Sequence, residues 1–194
     1  MRLCDSIERC VDRLTVYLYG HLKKMEQREI MSRNSELLSK FKSCGTGVGM
    51  WGRVYISGAE QIEIGNNVHI GNNAFIRAEG GLSIGDNTHI SRNLVLYTIN
   101  HRYEGDRIPY DDQIVKKPVR IGKNVWIGMN VCIAPGSTIG DGAVVGMGTV
   151  VSGDVPPLTI IGNSKWRVLG HRNVEHYMTC EQEARYGGPN GYPL

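Results

Sequence analysis

The chain has 194 residues, and its 25 glycines, about 13% of the total, are roughly twice the usual share. Seven prolines and 41% hydrophobic residues exclude a collagen-like or disordered chain and leave enough apolar surface for one core. The formal charge of +3 comes entirely from residues 1–44, because residues 45–194 carry equal numbers of acidic and basic side chains. We therefore expect no nucleic-acid partner.

The cysteines predict the cellular compartment, and the longest apolar run bears on whether the chain spans a membrane. Five widely spaced cysteines without a CxxC pair favour a reducing compartment, so we expect a cytoplasmic protein. The longest uncharged apolar run near the N-terminus, 14–22, is less than half of the about twenty residues that cross a bilayer. No signal-peptide pattern precedes it, and we expect no membrane span.

Residues 1–43 are predicted to form amphipathic helices. Apolar residues recur every three or four positions from Leu3 to Met25, and a second helix is predicted from about Arg28 to Phe41. Basic and acidic residues are interspersed on the polar face, which favours packing against the main body or against partner subunits. Binding to a membrane surface is the alternative.

Residues 44–162 contain an internal repeat of six. Each hexad begins with an apolar residue, usually followed by glycine, and has a small or apolar residue at its fifth place, as in Ile64 with Val68 and Ile127 with Val131. This period fits neither a helix nor one long strand. It fits short strands joined by tight turns, each hexad forming one side of a triangular prism whose coils stack at about 4.8 Å.

An excursion interrupts this repeat at one corner of the prism. The hexads stop at residue 101 and resume at Ile121, so residues 102–120 are predicted to leave the prism as an extruded loop. About five coils are expected between 44 and 156. The frame points His101 outward at the root of the loop, in one column with Gly81 and Thr138, and points Trp126 outward where the chain returns. Beyond the prism, residues 163–194 form a C-terminal extension with a short helix from about Asn173 to Arg185.

Several segments carry a family resemblance over about residues 56–170. The hexads, the string 97–101 (YTINH), the excursion and the string 124–128 (NVWIG) resemble the hexapeptide-repeat acyltransferases of the galactoside/maltose O-acetyltransferase type, including their polysaccharide-modifying relatives. The strings 151–157 and 162–165 are similar to the closing segment of that family. The resemblance implies an all-β solenoid, a left-handed parallel β-helix. It also implies a homotrimer that binds acetyl-CoA between neighbouring prisms and uses no metal.

The resemblance also implies a separate role for each group of site residues. His101 is expected to act as general base on an acceptor hydroxyl, because the pKa of an imidazole lies near the working pH. The backbone N–H of Met129 is expected to stabilise the oxyanion. The expected acetyl-CoA contacts are Trp126, Gly128, Met129, Gly146, Met147 and Ser152, with Lys165 and Arg167 at the phosphates.

The acceptor is expected to be a sugar or polysaccharide precursor, bound beside the excursion. Its expected contacts are Arg77, Asn100, Tyr103, Asp106 and Tyr110. Galactoside-type enzymes carry an acceptor-binding asparagine where Arg77 stands here, so the acceptor is not fixed by the resemblance. N-acetylation of an amino sugar or sugar nucleotide, and acetylation of a xenobiotic hydroxyl, stay open.

Two other classes of function remain as alternatives. One is a metal hydratase on the same prism, with zinc held between subunits by histidines such as His69 and His89, which fall in one column. The expected ligand spacing beside the excursion is absent. The other is a non-catalytic structural solenoid. Asp86, in a Gly-Asp-Asn turn, could orient the imidazole of His101, but turn chemistry also accounts for it.

Overall fold

A computed structural model of the protein describes residues 2–163 and 171–186, with side chains from residue 12 onward. The chain divides into two compact units, Met1–Asn163 and Ser164–Leu194. Unit one consists of a long helix, α1 (Arg2–Ser39), followed by a parallel β-solenoid. The described part of unit two contains one short helix, α2 (Val174–Gln182).

The solenoid has three faces, each a parallel sheet of very short strands. Face A contains β1 (Ser43–Cys44), β4 (Ile62–Ile64), β7 (Leu82–Ile84), β12 (Val119–Ile121), β15 (Thr138–Ile139) and β18 (Asp154–Val155). Face B contains β2 (Gly49–Met50), β5 (His69–Ile70), β8 (His89–Ile90), β13 (Trp126–Ile127), β16 (Val144–Val145) and β19 (Ile160–Ile161). Face C contains β3 (Val54–Ser57), β6 (Ala74–Arg77), β9 (Val95–Tyr97), β14 (Cys132–Ile133) and β17 (Val150–Val151).

The turns between faces form three corner columns. We call them corner AB (45–48, 65–68, 85–88, 122–125, 140–143), corner BC (51–53, 71–73, 91–93, 128–130, 146–148) and corner CA (58–61, 78–81, 98–118, 134–137, 152–153). A 3₁₀ turn, Ala59–Gln61, lies at corner CA of the first coil. The predicted parallel solenoid is confirmed, with about six turns instead of five.

Asparagine ladders hold two of these corners in register. Asn67, Asn87 and Asn124 at corner AB have φ of 53°, 56° and 57°, a left-handed backbone that asparagine tolerates better than most residues. Their side-chain amides donate from coil to coil at 3.0 and 3.2 Å. Corner AB also needs glycine, because a Cβ at Gly85 would lie 2.6 Å from the Lys123 nitrogen of the next coil.

The second ladder lies at corner BC. Asn73, Asn93 and Asn130 have φ of 61°, 62° and 57°, and Asn73 donates to Asn93 at 3.0 Å and Asn93 to Asn130 at 2.8 Å. Three successive coils therefore repeat the same left-handed turn with the same asparagine side chain, and glycine takes its place at Gly142 and Gly148. Aligned turns of this kind explain why the sequence concentrates glycine and asparagine in the repeat.

The core is a narrow column of aliphatic side chains. The first residues of the hexads and most fifth residues are buried, and the largest fully buried side chains are Ile, Leu and Val. Thr88, Ser137 and Thr149 are the buried polar residues among the fifth places. The Thr88 hydroxyl donates to the Gly122 carbonyl of the next coil, whereas Ser137 and Thr149 donate to carbonyls three residues earlier in their own turns. The predicted hexad frame is thereby confirmed for the interior.

The frame is wrong at the excursion. Thr138 pairs with Arg120 and Asp154 on face A, not with His101. His101 instead ends β10 (Ile99–His101), which pairs antiparallel with β11 (Ile114–Lys116) in a hairpin that projects from corner CA. The frame fails because the chain turns out of the prism after Ile99, the last buried residue before the exposed Asn100 and His101.

The hairpin leaves the hydrogen-bond ladder of the solenoid intact. The Thr98 N–H donates to the Arg77 carbonyl below it at 2.8 Å, and the Lys117 N–H donates to the Thr98 carbonyl at 2.8 Å. The Gly136 N–H then donates to the Lys117 carbonyl at 3.2 Å. Residues 99–116 are therefore an insertion between two consecutive steps of corner CA.

Helix α1 is continuous, so the prediction of two N-terminal helices is wrong. No proline or glycine stands between Met25 and Arg28, where the first helix was expected to end. Its C-terminal part meets the solenoid: Asn34 is buried and donates through Nδ2 to the carbonyls of Met50 at 3.2 Å and Gly52 at 2.9 Å. Phe41, just after the helix, is buried in the core.

Unit two matches its prediction. Asn173 caps α2 by accepting a hydrogen bond from the His176 N–H at 2.8 Å. Among the helices in the described ranges, none combines the length and the apolar character that crossing a membrane requires.

The asparagine ladder can be tested at Asn93, which is bonded above and below. Asn93→Ala loses both amide bonds and forces alanine into a left-handed backbone, so we expect it to lower the free energy of unfolding by about 2 kcal/mol. Asn93→Gly loses the same bonds without the backbone cost, so about 1 kcal/mol is expected. Urea midpoints of the two variants check this, and equal midpoints would contradict the strain argument.

Candidate active site

His101 is exposed at the base of the hairpin, and its ring is stacked on another ring. Its imidazole lies face to face with Tyr110, with ring centroids 4.1 Å apart and planes inclined by 20°. Its backbone N–H donates to Asn100 Oδ1 at 2.9 Å. Neither ring nitrogen is hydrogen-bonded to another residue within the described ranges, so a ring lone pair is available to an acceptor proton.

The loop after His101 is closed by an ion pair. The Arg102 guanidinium donates to the Asp111 carboxylate through Nε at 2.8 Å and also through Nη2, and the Gln113 N–H donates to the other carboxylate oxygen at 3.0 Å. The Arg102 hydrogen bonds hold the pKa of the Asp111 carboxyl below its usual range, against the opposing effect of its burial. Asp111 is therefore ionised at neutral pH.

The predicted acceptor residues lie together on this side of the molecule. Asn100, Tyr103, Asp106 and Tyr110 belong to the hairpin, and Tyr103 is strongly exposed. Asp106 is almost fully exposed and lies 4.0 Å from the Arg102 guanidinium, so it also belongs to the charge cluster of the loop.

Arg77 lies at the end of face C, one coil below Tyr97. Its Nε donates to Glu79 Oε1 at 2.8 Å, and its guanidinium carbon lies 5.9 Å from the centroid of the Tyr97 ring. Burial raises the pKa of Glu79, but hydrogen bonds from its backbone N–H and from Arg77 outweigh that effect and lower it. Arg77 is thus held in a charged pair at corner CA, where the hairpin leaves the prism.

The residues predicted to contact acetyl-CoA cluster at corner BC. The Met129 N–H has no hydrogen-bond partner within the described part of the chain, and Met147, which lies above Met129, offers no side-chain acceptor. The N–H groups of Asn72 and Arg92, at the same place of the two coils below, are likewise unpaired among the described residues.

Gly128 permits this arrangement. Its N–H donates to the Val145 carbonyl at 2.8 Å, and a Cβ there would lie 2.7 Å from the Met147 nitrogen and 2.9 Å from the Val145 oxygen. Met147 is exposed, and Gly146 donates to the Ile161 carbonyl at 2.7 Å. An open groove along corner BC reaches Met129 from below and is lined by Trp51, Gly71, Asn72, Ser91 and Arg92.

Trp126 lies on the outer surface of face B, next to corner BC. It stands in register between His89 below and Val144 above, and 59% of it is exposed. Ser152 lies elsewhere, as an exposed residue at corner CA. Lys165 and Arg167 lie outside the described residues.

A single chain therefore presents two clusters on different corners. The base and the predicted acceptor residues are at corner CA, whereas Met129, Gly146 and Met147 are at corner BC. Face C separates the two corners, and a strand of four residues such as β6 spans about 13 Å. Within one chain, His101 and the Met129 N–H lie at opposite ends of this face.

The histidine column on face B is engaged in ordinary hydrogen bonds. The Trp51 Nε1–H donates to His69 Nδ1 at 3.3 Å, which leaves the hydrogen of this ring on Nε2, where it faces Asn67 Oδ1 at 3.1 Å. His69 thus offers no lone pair to a metal. The His89 ring packs edge-on against it with centroids 4.5 Å apart.

Turn chemistry accounts for Asp86. Its carboxylate accepts hydrogen bonds from the Asn66 backbone N–H at 2.5 Å and from Asn66 Nδ2 at 3.2 Å. It lies at corner AB, whereas the hairpin that carries His101 leaves from corner CA.

Sequence reasoning missed two residues of the candidate site. Arg102 was not singled out, although opposite charges at the two ends of a long excursion are a signal for a closed loop. Arg92 was also missed, and it is an exposed cation beside the groove that leads to Met129. Its place in the repeat, 37 residues before Met129, could have identified it.

Comparisons with known proteins find hexapeptide-repeat families in two segments of this chain. Residues 118–153 match a family described as bacterial transferase hexapeptide (six repeats), and residues 61–98 match the hexapeptide repeat of succinyl-transferase. No curated protein sequence gives a significant match to the chain.

Solved structures of three acetyltransferases are similar to this chain. A maltose O-acetyltransferase from Clostridium difficile 630 is 31% identical, with a TM-score of 0.63 over 74% of this chain and 79% of that one. A hexapeptide-repeat-containing acetyltransferase from Vibrio cholerae O1 biovar eltor, complexed with acetyl coenzyme A, is 29% identical, with a TM-score of 0.65 over 78% and 83%. A galactoside acetyltransferase in complex with coenzyme A is 29% identical, with a TM-score of 0.62 over 86% and 78%.

The hydrogen bonds of His69 predict that the histidine column does not hold zinc. We expect protein purified without chelators to contain far less than one zinc per chain, and His69→Ala to leave the metal content unchanged. Elemental analysis by mass spectrometry checks both. Stoichiometric zinc that disappears in His69→Ala would restore the hydratase alternative.

The loop ion pair should persist into acid solution. The pKa of Asp111 is lower in the folded protein than the value of about 3.9 expected in an unfolded chain, so its stabilising contribution is complete above about pH 4. That contribution is lost as the pH falls through the folded pKa. We expect the NMR shift of the Gln113 amide, which donates to this carboxylate, to stay constant from pH 7 to 5 and to change only below about pH 4. A midpoint near 5 would contradict this.

Proposed function

This chain belongs to the hexapeptide-repeat acyltransferases and is itself an acyltransferase, and on that premise we propose that it moves an acetyl group from acetyl-CoA to a hydroxyl of a sugar or polysaccharide precursor. The observation that carries the proposal is the position of His101. Its ring nitrogens are unengaged by the described residues, and its ring is fixed against Tyr110. Four of the predicted acceptor contacts, Asn100, Tyr103, Asp106 and Tyr110, belong to the same hairpin.

In the proposed reaction, His101 removes the proton from the acceptor hydroxyl as the oxygen attacks the thioester carbonyl carbon. The new C–O bond and the old C–S bond are both present in a tetrahedral oxyanion. When the C–S bond breaks, the imidazolium returns its proton to the thiolate. The products are the acetyl ester and the free thiol of CoA, so atoms and protons balance without a metal.

The oxyanion needs a preorganised donor, and the Met129 N–H is proposed for that role. The role is supported because this N–H is unpaired within the described chain, while the Gly128 N–H and the Met129 carbonyl are each bonded to the next coil at 2.8 Å. A fixed donor directed at the developing negative charge contributes on the order of 3 kcal/mol to transition-state stabilisation.

The donor is proposed to lie along corner BC. Trp126 and Met147 offer exposed apolar surface to the pantetheine arm, and the glycines at 128 and 146 allow the arm to approach the backbone. Ser152, Lys165 and Arg167 complete the proposed set, the two cations at the phosphates. A reaction that consumes acetyl-CoA also agrees with the proposed cytoplasmic location.

This division of the site supports a homotrimer. His101 and the Met129 N–H are on different corners of one prism, so a reacting carbonyl cannot touch both within one chain. A neighbouring copy whose corner BC faces this corner CA would complete the site. Three such head-to-tail contacts close a ring, as heterologous interfaces do in cyclic oligomers.

The acceptor is proposed to be a carbohydrate bound beside Arg77, Asn100 and the hairpin residues Tyr103, Asp106 and Tyr110. Aromatic rings with adjacent charged and amide groups suit the apolar faces and hydroxyls of a sugar. The same base would serve an amine acceptor, so N-acetylation remains the second candidate function.

The base is tested by His101→Ala. We expect kcat for acetyl transfer to fall 10²- to 10⁴-fold, as removal of a general base does, with the oligomeric state unchanged. The control is His21→Ala, which removes an exposed histidine on α1. Thiol release from acetyl-CoA measures the rate, and full activity in His101→Ala would sink the proposed mechanism.

The acceptor class is tested with wild-type enzyme. Thiol release is measured with acetyl-CoA across a panel of neutral sugars, amino sugars, sugar nucleotides and polysaccharide fragments. We expect turnover with a hydroxyl acceptor and a product ester that hydroxylamine cleaves. A product stable to hydroxylamine would favour N-acetylation, and absence of both CoA binding and turnover would overturn the enzyme assignment.

A further inference from the structure

The stack of Tyr110 on His101 joins two exposed side chains that are nine residues apart in the chain. Tyr110 is 49% exposed, and it lies on a loop with little core beneath it. A tyrosine in that setting would normally sample several rotamers. The observed stack, with centroids 4.1 Å apart, therefore depends on something that fixes the backbone at residue 110.

Asp111 supplies that restraint from the next position. Its side chain is only 3% exposed, whereas that of Asp106 in the same loop is 97% exposed. One carboxylate oxygen accepts from Arg102 Nε and Nη2, and the other accepts from the Gln113 N–H. The group is thus enclosed by donors from both sides of the loop.

The backbone closes the same ring. The Asp111 N–H donates to the Arg102 carbonyl at 3.1 Å, and the Arg102 N–H donates to the Gln113 carbonyl at 3.0 Å. Arg102 directly follows His101, and Asp111 directly follows Tyr110. Tying residue 102 to residue 111 therefore brings the two preceding rings together.

We propose that Arg102 and Asp111 are positioning residues for His101: their ion pair closes the hairpin loop and thereby holds the Tyr110 ring against the imidazole in one orientation. The inference rests on the proposed role of His101 as the base. Neither residue is proposed to touch the acceptor or the thioester. Asp111 acts on the imidazole through the chain and through Tyr110, not as a hydrogen-bond partner.

Positioning of this kind affects the rate more than binding. Asn100 Oδ1 already holds the His101 backbone N–H, so the side-chain torsions are the freedom that remains. A stacked ring removes most of that freedom, and a base misplaced by about 1 Å loses on the order of 10²-fold in rate. Without the ion pair, we expect a base that is present but seldom correctly oriented.

The decisive comparison is Asp111→Asn against Asp112→Asn. Both replace a carboxylate with an amide at adjacent positions of one loop, but only Asp111 is in the ion pair, since Asp112 is exposed and contacts its neighbour Gln113. In the intact protein we expect kcat to fall about 10- to 100-fold in Asp111→Asn, with KM for acetyl-CoA within about twofold. Asp112→Asn should stay within about twofold in both. Equal kcat in the two variants would overturn the proposal.

Tyr110 tests the same link without altering the loop charges. Tyr110→Phe keeps the stacked ring and Tyr110→Ala removes it, while both lose the same hydroxyl toward the acceptor. We therefore expect kcat at saturating acceptor to be about 10- to 100-fold lower in Tyr110→Ala than in Tyr110→Phe. A purely structural loop would not distinguish phenylalanine from alanine in this way. These variants also decide the matter if Asp111→Asn fails to fold, and equal rates for Tyr110→Ala and Tyr110→Phe would refute the proposal.

Two further measurements separate this proposal from the proposed function. The ring protons of His101 should show an upfield shift from the Tyr110 ring current, which is retained in Asp112→Asn and lost in Asp111→Asn. Adding Asp111→Asn to His101→Ala should cause no further loss of rate, because a positioning effect disappears with the group that is positioned. An additive loss, or a retained ring-current shift in Asp111→Asn, would overturn the positioning role. Full activity in His101→Ala alone would instead overturn the base.

Discussion

Parallel hydrogen bonding between successive coils is the interaction on which the rest of this protein depends. Because each coil donates to the next in register, a residue at one place of the repeat lies directly above its counterpart in the coil below. The turns must then be alike, and the left-handed backbone at Asn93 and its neighbours is the shared solution. Because of this register, the place of a residue within the repeat predicts the face or corner on which it lies.

The candidate site residues lie where the regular repeat is interrupted, but the hydrogen bonds between coils continue past the interruption. The ladder at corner CA passes from Thr98 to Lys117 as if the hairpin were absent, so the prism keeps its core while the loop is free to carry exposed polar groups. At corner BC the interruption is smaller. The Met129 N–H is unpaired within the described chain, and Met147 above it supplies no side-chain acceptor. The scaffold is rigid at both places, which is what a preorganised site requires.

The solenoid can be predicted from the sequence because the same hexad pattern is repeated many times. Ile64, Ile84 and Ile127 each predict the same environment, and errors at one hexad are corrected by the others. The hairpin sequence is not repeated elsewhere in the chain. Extending the hexad frame through it therefore placed His101 in the column of Thr138, on face A. The ion pair of Arg102 and Asp111 depends on how one unrepeated loop folds back, which spacing does not encode. The continuity of α1 was missed, although no proline or glycine interrupts the chain between Met25 and Arg28, where the first helix was expected to end.

Helix α1 also determines how long the solenoid is. The lowest coil has no coil beneath it, so the carbonyls and N–H groups that point down from it need other partners. Asn34 takes two of these carbonyls, those of Met50 and Gly52, with one side-chain amide, and Phe41 is buried in the adjoining core. A prism without this cap would present unpaired backbone groups at its lowest coil, and open strand edges of this kind favour end-to-end association. The helix thus covers one end of the solenoid, whose repeating geometry would otherwise allow further coils to stack on it.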